Sequence, residues 1–212
     1  MGKPKRCATV EYNIAIQPFK KSSRNQLTFS NSVYYSVINN NIVWSPIVSG
    51  LYSPQNIKKT RHYGIESKVE NVFNWNNTNA VRFSVNYNYN HSTILKDNTN
   101  QELAGNFIRY KPEHTIKSYF IFEDKYFNVG FNYLFVGQRF TDDENIKIFQ
   151  LKSYSLADLF IAFKGNIKNV HAEFGFKINN LFNTQYESLR SYAQPLRSYN
   201  ISLILNYKSI LK

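Results

Sequence analysis

The chain has very little cysteine, and it lacks any long apolar run. Cys7 is the only cysteine, so the 212-residue sequence can form neither an internal disulfide nor a cysteine-based zinc site. No run of 18 or more apolar residues occurs, which excludes a transmembrane helix. The N-terminus carries Lys3, Lys5 and Arg6 but no apolar segment behind them, so no export signal is visible.

Acidic residues are also scarce, with 14 Asp and Glu against 26 Lys and Arg, for a net charge of +12. Such a balance suggests an anionic partner such as nucleic acid. The basic residues, however, are scattered through predicted turns and loops and do not form one stripe. We therefore predict no nucleic-acid partner; basic loops that face anionic lipid headgroups or lipopolysaccharide would account for the same charge.

Aromatic residues are abundant, at 17% of the chain, and they follow a period of two. Residues 170–179 and 198–207 both alternate between apolar and polar side chains, which predicts strands with one apolar and one polar face. Each run has about ten residues, the length of a tilted strand that crosses a bilayer. In the last run, Tyr199 and Tyr207 flank aliphatic residues, as in an aromatic girdle around a hydrocarbon band.

Seven further alternating segments precede this hairpin, at 9–17, 26–37, 57–73, 80–93, 114–122, 126–140 and 153–163. Short turns are expected near residues 20, 76, 124 and 166, and long polar loops at 38–55, 94–112, 141–152 and 183–195. In an antiparallel meander every second connection lies at the same end, so short turns and long loops segregate as in bacterial outer-membrane barrels. The sequence thus predicts an all-β, up-and-down antiparallel meander of about nine strands, a partial segment of a transmembrane β-barrel.

No constellation of residues supports catalysis, a cofactor or a metal. The four histidines, at 62, 91, 114 and 171, are widely separated and lie beside no carboxylate cluster. The run Asp142-Asp143-Glu144-Asn145 lacks the glycine and ligand spacing of a calcium loop, which favours a solvated loop tip. A nucleophile elbow and a glycine-rich phosphate loop are both missing. We therefore expect no enzyme, no cofactor and no metal site.

Two C-terminal motifs carry a family resemblance. The run from Gly175 to Tyr186 contains Asn180-Leu181-Phe182-Asn183 ahead of a tyrosine, and Pro195, Arg197 and Tyr199 introduce the last strand. Together with the order of segments over residues 9–207, these motifs resemble the C-terminal part of the barrel of TonB-dependent outer-membrane receptors. For Asn180, Leu181, Phe182, Tyr186, Pro195, Arg197 and Tyr199 the resemblance implies structural roles at strand ends, with Pro195 shaping the strand entry and Arg197 near the rim.

The resemblance implies a location in the outer membrane of a Gram-negative bacterium and uptake of a scarce ligand such as an iron-siderophore, cobalamin or a glycan. A complete receptor also has a signal peptide, a plug domain through which the TonB complex acts, and about 22 strands. The expected organisation is therefore a disordered leader at 1–8, a barrel segment at 9–207 and a tail at 208–212. The missing strands and plug would be its partners, and the chain would be a truncated remnant that does not transport alone.

Two alternatives remain open from the sequence. A self-contained small outer-membrane barrel, acting as an adhesin or structural protein, would need eight or ten strands. A soluble basic β-protein that binds nucleic acid or glycans would be recovered without detergent and would bind DNA in a salt-sensitive manner.

Overall fold

Nine strands form one antiparallel sheet in which each strand pairs with its chain neighbours. The computed structural model describes residues 6–17, 24–48, 51–74, 76 and 78–207, with only the backbone described over 42–48 and 51–57. The sheet order is β1-β2-β3-β4-β5-β6-β7-β8-β11. Its strands are β1 Arg6–Ile16, β2 Asn25–Val48, β3 Leu51–Asn74, β4 Ala80–Asp97, β5 His114–Glu123, β6 Phe127–Val136, β7 Tyr154–Ile167, β8 Val170–Asn179 and β11 Ser198–Tyr207.

Four smaller elements lie in the connections. Strands β9 Glu187–Leu189 and β10 Tyr192–Ala193 pair with each other, and two 3-10 helices span Gln101–Leu103 and Lys147–Phe149. No helix in the described part of the chain is long and apolar enough to cross a membrane. Within the described residues the large sheet is open, because β1 and β11 each pair on one side only. The predicted nine-stranded partial meander is thus confirmed, and the sheet has neither the eight nor the ten strands that a self-contained barrel requires.

The two faces of the sheet have opposite chemistry. On one face, Glu66, Asn88 and Thr115 lie in register across β3, β4 and β5, and we call this the polar face. The other, the apolar face, carries Val85 and most of the Phe and Tyr side chains.

Burial is reversed relative to a globular core. Ser84 on the polar face is fully buried, whereas its neighbour Val85 on the apolar face is 40% exposed and Leu203 of β11 is 64% exposed. The polar side chains shield one another, which indicates that the sheet bends towards their face. A sheet that hides small polar groups and presents aliphatic and aromatic ones is suited to lipid on its outside and water on its inside.

Gly130 allows close contact between strands on the polar face. A Cβ atom at this position would lie 1.8 Å from a ring carbon of Phe160, its cross-strand partner in β7. The Phe160 ring therefore lies over the glycine backbone, where any side chain would displace it. This pairing accounts for the large aromatic side chain at position 160 on the polar face.

The long loop predicted at 38–55 is wrong. Strand β2 continues to Val48 and β3 begins at Leu51, so the two strands extend as a hairpin past the last β1–β2 pair at Arg6 and Asn39. Among the described residues no third strand pairs with this extension, so the missing N–H groups of Pro46 and Pro54 interrupt no second ladder there. The β2–β3 register shifts between Ile38 and Asn41, beside the last described β1–β2 pair, so an irregularity in the ladder marks the start of the extension.

Several predicted boundaries also need correction. Strand β6 ends at Val136 instead of residue 140, because the Gly137 N–H bonds to the His114 carbonyl and the chain then leaves the sheet. Strands β4 and β7 run on to Asp97 and Ile167. Strand β1 begins at Arg6, inside the leader predicted at 1–8. Residues 1–5, most of the short turn predicted near residue 20 and the tail at 208–212 lie outside the described residues.

Candidate functional site

Long connections gather at one end of the sheet. Residues 98–113, 137–153 and 180–197, together with the β2–β3 extension, lie at this end, which we call the loop end. The connection between β5 and β6 at the opposite end is tight, with the Asp124 N–H bonded to the Phe127 carbonyl at 2.9 Å. The loop end is therefore the part of the molecule with enough irregular chain to build a binding surface.

A buried ionic cluster holds two of these connections together. Lys58 is 3.5 Å from Asp97 and also contacts Asp143, and the side chains of Lys58 and Asp97 are 6% and 1% exposed. Burial acts to raise the pKa of Asp97, but hydrogen bonds from Thr99 and Asn100 and the charge of Lys58 outweigh it and leave the pKa below its usual value. Asp97 therefore stays ionised at neutral pH and anchors the start of the 98–113 connection.

Asn145 ties the same two connections by a second route. Its side chain accepts a hydrogen bond from the Phe107 N–H at 2.6 Å and donates one to the Phe107 carbonyl at 2.9 Å, which reproduces one rung of a strand pair. Its positive φ of 58° suits asparagine better than most residues. The solvated tip predicted over residues 142–145 is thus correct for Glu144, which is exposed, but wrong for Asp143 and Asn145, which bond partners inside the loop end.

Arg139 connects the loop after β6 to the region of β9. It is 5% exposed, and its Nη2 donates to the carbonyls of Glu187 and Ser188 at 2.5 and 3.2 Å. Its guanidinium carbon also lies 5.3 Å from the centre of the Tyr154 ring. Burial lowers the pKa of Arg139, while Tyr154 and Tyr110 oppose this shift. Arg139 remains charged, since an ordinary guanidinium pKa lies far above neutrality.

A pocket of about 620 Å³ opens between the residues that precede β7 and the connection from β8 to β11. Tyr154 and Tyr186 line it, with their ring centres 4.6 Å apart. Burial raises the pKa of Tyr186, and the neighbouring Tyr154 and Asp158 raise it further, so its hydroxyl is neutral. The remaining walls are mainly amides and aliphatic groups: Gln150, Gln185, Gln194, Leu151 and Leu196.

Charged groups on the polar face lie near opposite charges or amides. Arg82 bonds Glu123 at 2.8 Å, Lys177 lies 3.6 Å from Asp158, and Asn88 donates to Glu66 at 3.1 Å. A second hollow, of about 720 Å³, lies on this face between β1 and β5. Each of these charges remains partly exposed, so the face is wet and its ion pairs contribute little to stability.

Asn180 and Leu181 lie at the predicted strand-to-loop junction after β8. Asn180 is buried with a φ of 50°, and its side chain bonds both the N–H and the carbonyl of Thr184. Its own N–H donates to Asp158, and the Leu181 N–H donates to the Ala157 carbonyl. Phe182, in contrast, is 68% exposed.

The remaining motif residues are dispersed. Tyr186 lines the pocket, whereas Tyr199 lies on the apolar face beside Phe176, with ring centres 6.2 Å apart. Pro195 and Arg197 are exposed, and the Arg197 N–H donates to the Asn183 side chain, which fixes the approach to β11. Of the seven residues singled out from the sequence, the structure thus brings only Tyr186 to the pocket.

No local pattern in the sequence marks Lys58, Asp97 or Arg139 as interaction partners. Each is a single charged residue, and the contacts join positions 85 residues apart for Lys58–Asp143 and 48 apart for Arg139–Glu187. Among the described residues, no group of three or more His, Cys, Asp and Glu side chains could hold a metal ion.

An open antiparallel meander with a lipid-suited outside, a wet inside and loops gathered at one end defines a segment of a transmembrane β-barrel. Residues 9–181 match the model of the family described as TonB dependent receptor-like, beta-barrel, and the chain belongs to this family. Members of the family are receptors and transporters in the outer membrane of Gram-negative bacteria. No curated protein matches the chain in sequence.

Solved structures share the fold at low sequence identity. The ferric-catecholate import receptor Fiu from E. coli K12 is 21% identical with a TM-score of 0.66, over 95% of this chain and 27% of that chain. The ferric preacinetobactin receptor BauA from Acinetobacter baumannii is 16% identical with a TM-score of 0.69, over 94% and 29% of the two chains. The copper transporter OprC is 14% identical with a TM-score of 0.63, over 96% and 31%. The chain thus spans about three tenths of the length of these proteins.

Proposed function

We propose that this chain forms the C-terminal part of the barrel wall of an outer-membrane receptor that takes up a scarce ligand. The observation that carries the proposal is the reversed burial of the sheet, with Ser84 hidden and Val85 exposed. Backbone groups at a sheet edge cost several kcal/mol each when they are left unpaired in hydrocarbon, so β1 and β11 need further strands. Alone, the nine described strands would not transport.

The ligand would be an iron-siderophore, cobalamin or a glycan. Import of ferric complexes by Fiu and BauA supports the first of these by analogy, and the loop end supplies the contacts. Coupling to the TonB complex would run through a plug domain seated against the polar face, whose paired charges suit a wet protein surface. Outer-membrane lipid and lipopolysaccharide would cover the apolar face, and no nucleic acid is involved.

The motif residues would shape the wall around this site. Asn180 and Leu181 close the turn after β8 onto β7, Pro195 and Arg197 direct the chain into β11, and Tyr199 begins the aromatic girdle. Phe182 projects from the same turn towards solvent. Tyr186 alone among them would also reach the ligand.

Spin labels at neighbouring positions test the membrane orientation. In a Cys7→Ser background, Val85→Cys and Asn88→Cys would each carry a nitroxide, with the chain folded into lipid vesicles together with the strands that complete its barrel. We expect the label at 85 to be relaxed by oxygen, which concentrates in lipid, and the label at 88 by a water-soluble nickel chelate. A label at 85 that the nickel chelate reaches as readily as the label at 88 would exclude a membrane wall.

A further inference from the structure

The pocket beside Tyr186 is built entirely by this chain. One wall comes from residues 150–154 at the start of β7, and the other from residues 185–196. Its volume of about 620 Å³ lies within the range of small-molecule sites. Strands and domains beyond the described residues are thus not needed to form these two walls.

The lining of the pocket is neutral and rich in amides. Gln150, Gln185 and Gln194 each offer a carbonyl acceptor and an NH₂ donor, and Gln194 spends one N–H on the Tyr192 carbonyl at 3.3 Å. Lys152 and Glu187 contribute one charge of each sign, so the lining has no net charge. An anionic iron chelate would find no excess of positive charge here.

The aromatic part of the pocket is held in place before any ligand arrives. The Tyr186 ring packs against Tyr154, and Tyr154 lies beside the guanidinium of Arg139. Arg139 in turn holds the carbonyls of Glu187 and Ser188, next in the chain after Tyr186. A fixed aromatic ring with a neutral hydroxyl costs little conformational entropy on binding.

We propose that this pocket binds a neutral, polyhydroxylated ring compound, such as one or two units of an oligosaccharide. Amide groups pair with hydroxyls as both donor and acceptor, and an aromatic ring packs against the apolar C–H face of a sugar ring. The inference rests on the proposed receptor function and narrows its ligand to the glycan class. The proposed ligand class differs from the ferric complexes that are named as ligands of Fiu and BauA.

Binding to the full chain, refolded into detergent, tests the inference. The probes are maltoheptaose, xylohexaose and chitohexaose, with cyanocobalamin and an iron(III) tris-catecholate complex as the other ligand classes, all measured by calorimetry. We expect at least one oligosaccharide to bind, and Tyr186→Ala to weaken it about tenfold or more, since a central aromatic contact carries much of the binding energy. Tyr192→Ala is the matched control: Tyr192 belongs to the same connection but is 67% exposed and does not line the pocket.

The possible outcomes separate this inference from the proposed function. Loss of binding in Tyr186→Ala but not in Tyr192→Ala, with unchanged circular dichroism, supports the pocket. Binding of cyanocobalamin or the iron complex alone, binding of no probe, or equal effects of the two substitutions would overturn it. The spin-label pattern at positions 85 and 88 reports the receptor wall independently, so a folded, correctly oriented chain that binds no oligosaccharide refutes only the glycan assignment.

Discussion

Substituting arginine for Val85 places a charge where the structure assigns lipid. Val85 lies near the middle of the paired span of β4, opposite Val69 and Ser118, and remains 40% exposed. A charge on the lipid-facing side of a barrel strand near the midplane costs about 2–4 kcal/mol. That free energy corresponds to a roughly 30- to 700-fold loss in the folding equilibrium constant.

The matched substitution, Asn88→Arg, puts the same side chain on the polar face three residues away. Its cross-strand neighbour is Glu66, which already accepts a hydrogen bond from Asn88 at 3.1 Å. The new guanidinium would be hydrated and paired, so we expect a change within about 1 kcal/mol.

Urea titration of both variants, each folded in lipid vesicles with the strands that complete the barrel and followed by aromatic fluorescence, measures the two free energies of unfolding. The titrations are read against the unsubstituted chain in the same vesicles. If Asn88→Arg were as costly as Val85→Arg, or if both were harmless, the assignment of the two faces would be wrong.

Three further predictions concern packing and the loop end. Gly130→Leu should destabilise the sheet by about 1–3 kcal/mol, since the new side chain collides with Phe160; recovery of the urea midpoint in Gly130→Leu/Phe160→Ala checks this cause. The pKa of Asp97 lies below its ordinary value of 3.8, so the stabilisation that the ionised Asp97 gives to the loop end is present above that pH and is lost as the pH falls further. We expect faster hydrogen exchange near Thr99 below that pH. The Asp97→Asn variant should show no such acid dependence. Asn180→Ala should cost about 2–4 kcal/mol from lost hydrogen bonds and the positive φ, whereas Asn180→Gly, which keeps the backbone conformation, should shift the urea midpoint less.

The strands could be predicted from the sequence because their signal is local. Alternation over ten residues, as in Val170 to Asn179, follows directly from strand geometry, and the predicted hairpin matches the observed bounds. The alternation of short and long connections predicted the topology, because consecutive antiparallel strands place their connections at alternate ends of the sheet.

Proline misled the prediction at 38–55. Pro46 and Pro54 indicate a loop if each strand is assumed to have neighbours on both sides. Here β2 and β3 extend beyond the other described strands of the sheet, so this assumption fails. Whether an edge is free depends on the lengths of the neighbouring strands, which a local pattern does not contain.

Most of the loop-end contacts could not be predicted, because they join residues that are far apart in the sequence. Arg139, Lys58 and Asp143 contact residues that lie far from them in the sequence and that only the paired strands bring close. Asn180 is different, because an asparagine after a strand can bond its own loop, and the sequence motif pointed to that junction.

The odd number of strands in the sheet has an arithmetical consequence. Strands β1 and β11 both run away from the loop end, because eight reversals of direction separate them. If two copies of the sheet with the same orientation were joined edge to edge, β11 of one copy would therefore pair with β1 of the other as parallel strands. A closed barrel in which all neighbouring strands are antiparallel needs additional strands between β11 and β1. The first and last of these must both run towards the loop end, so the number of additional strands is odd.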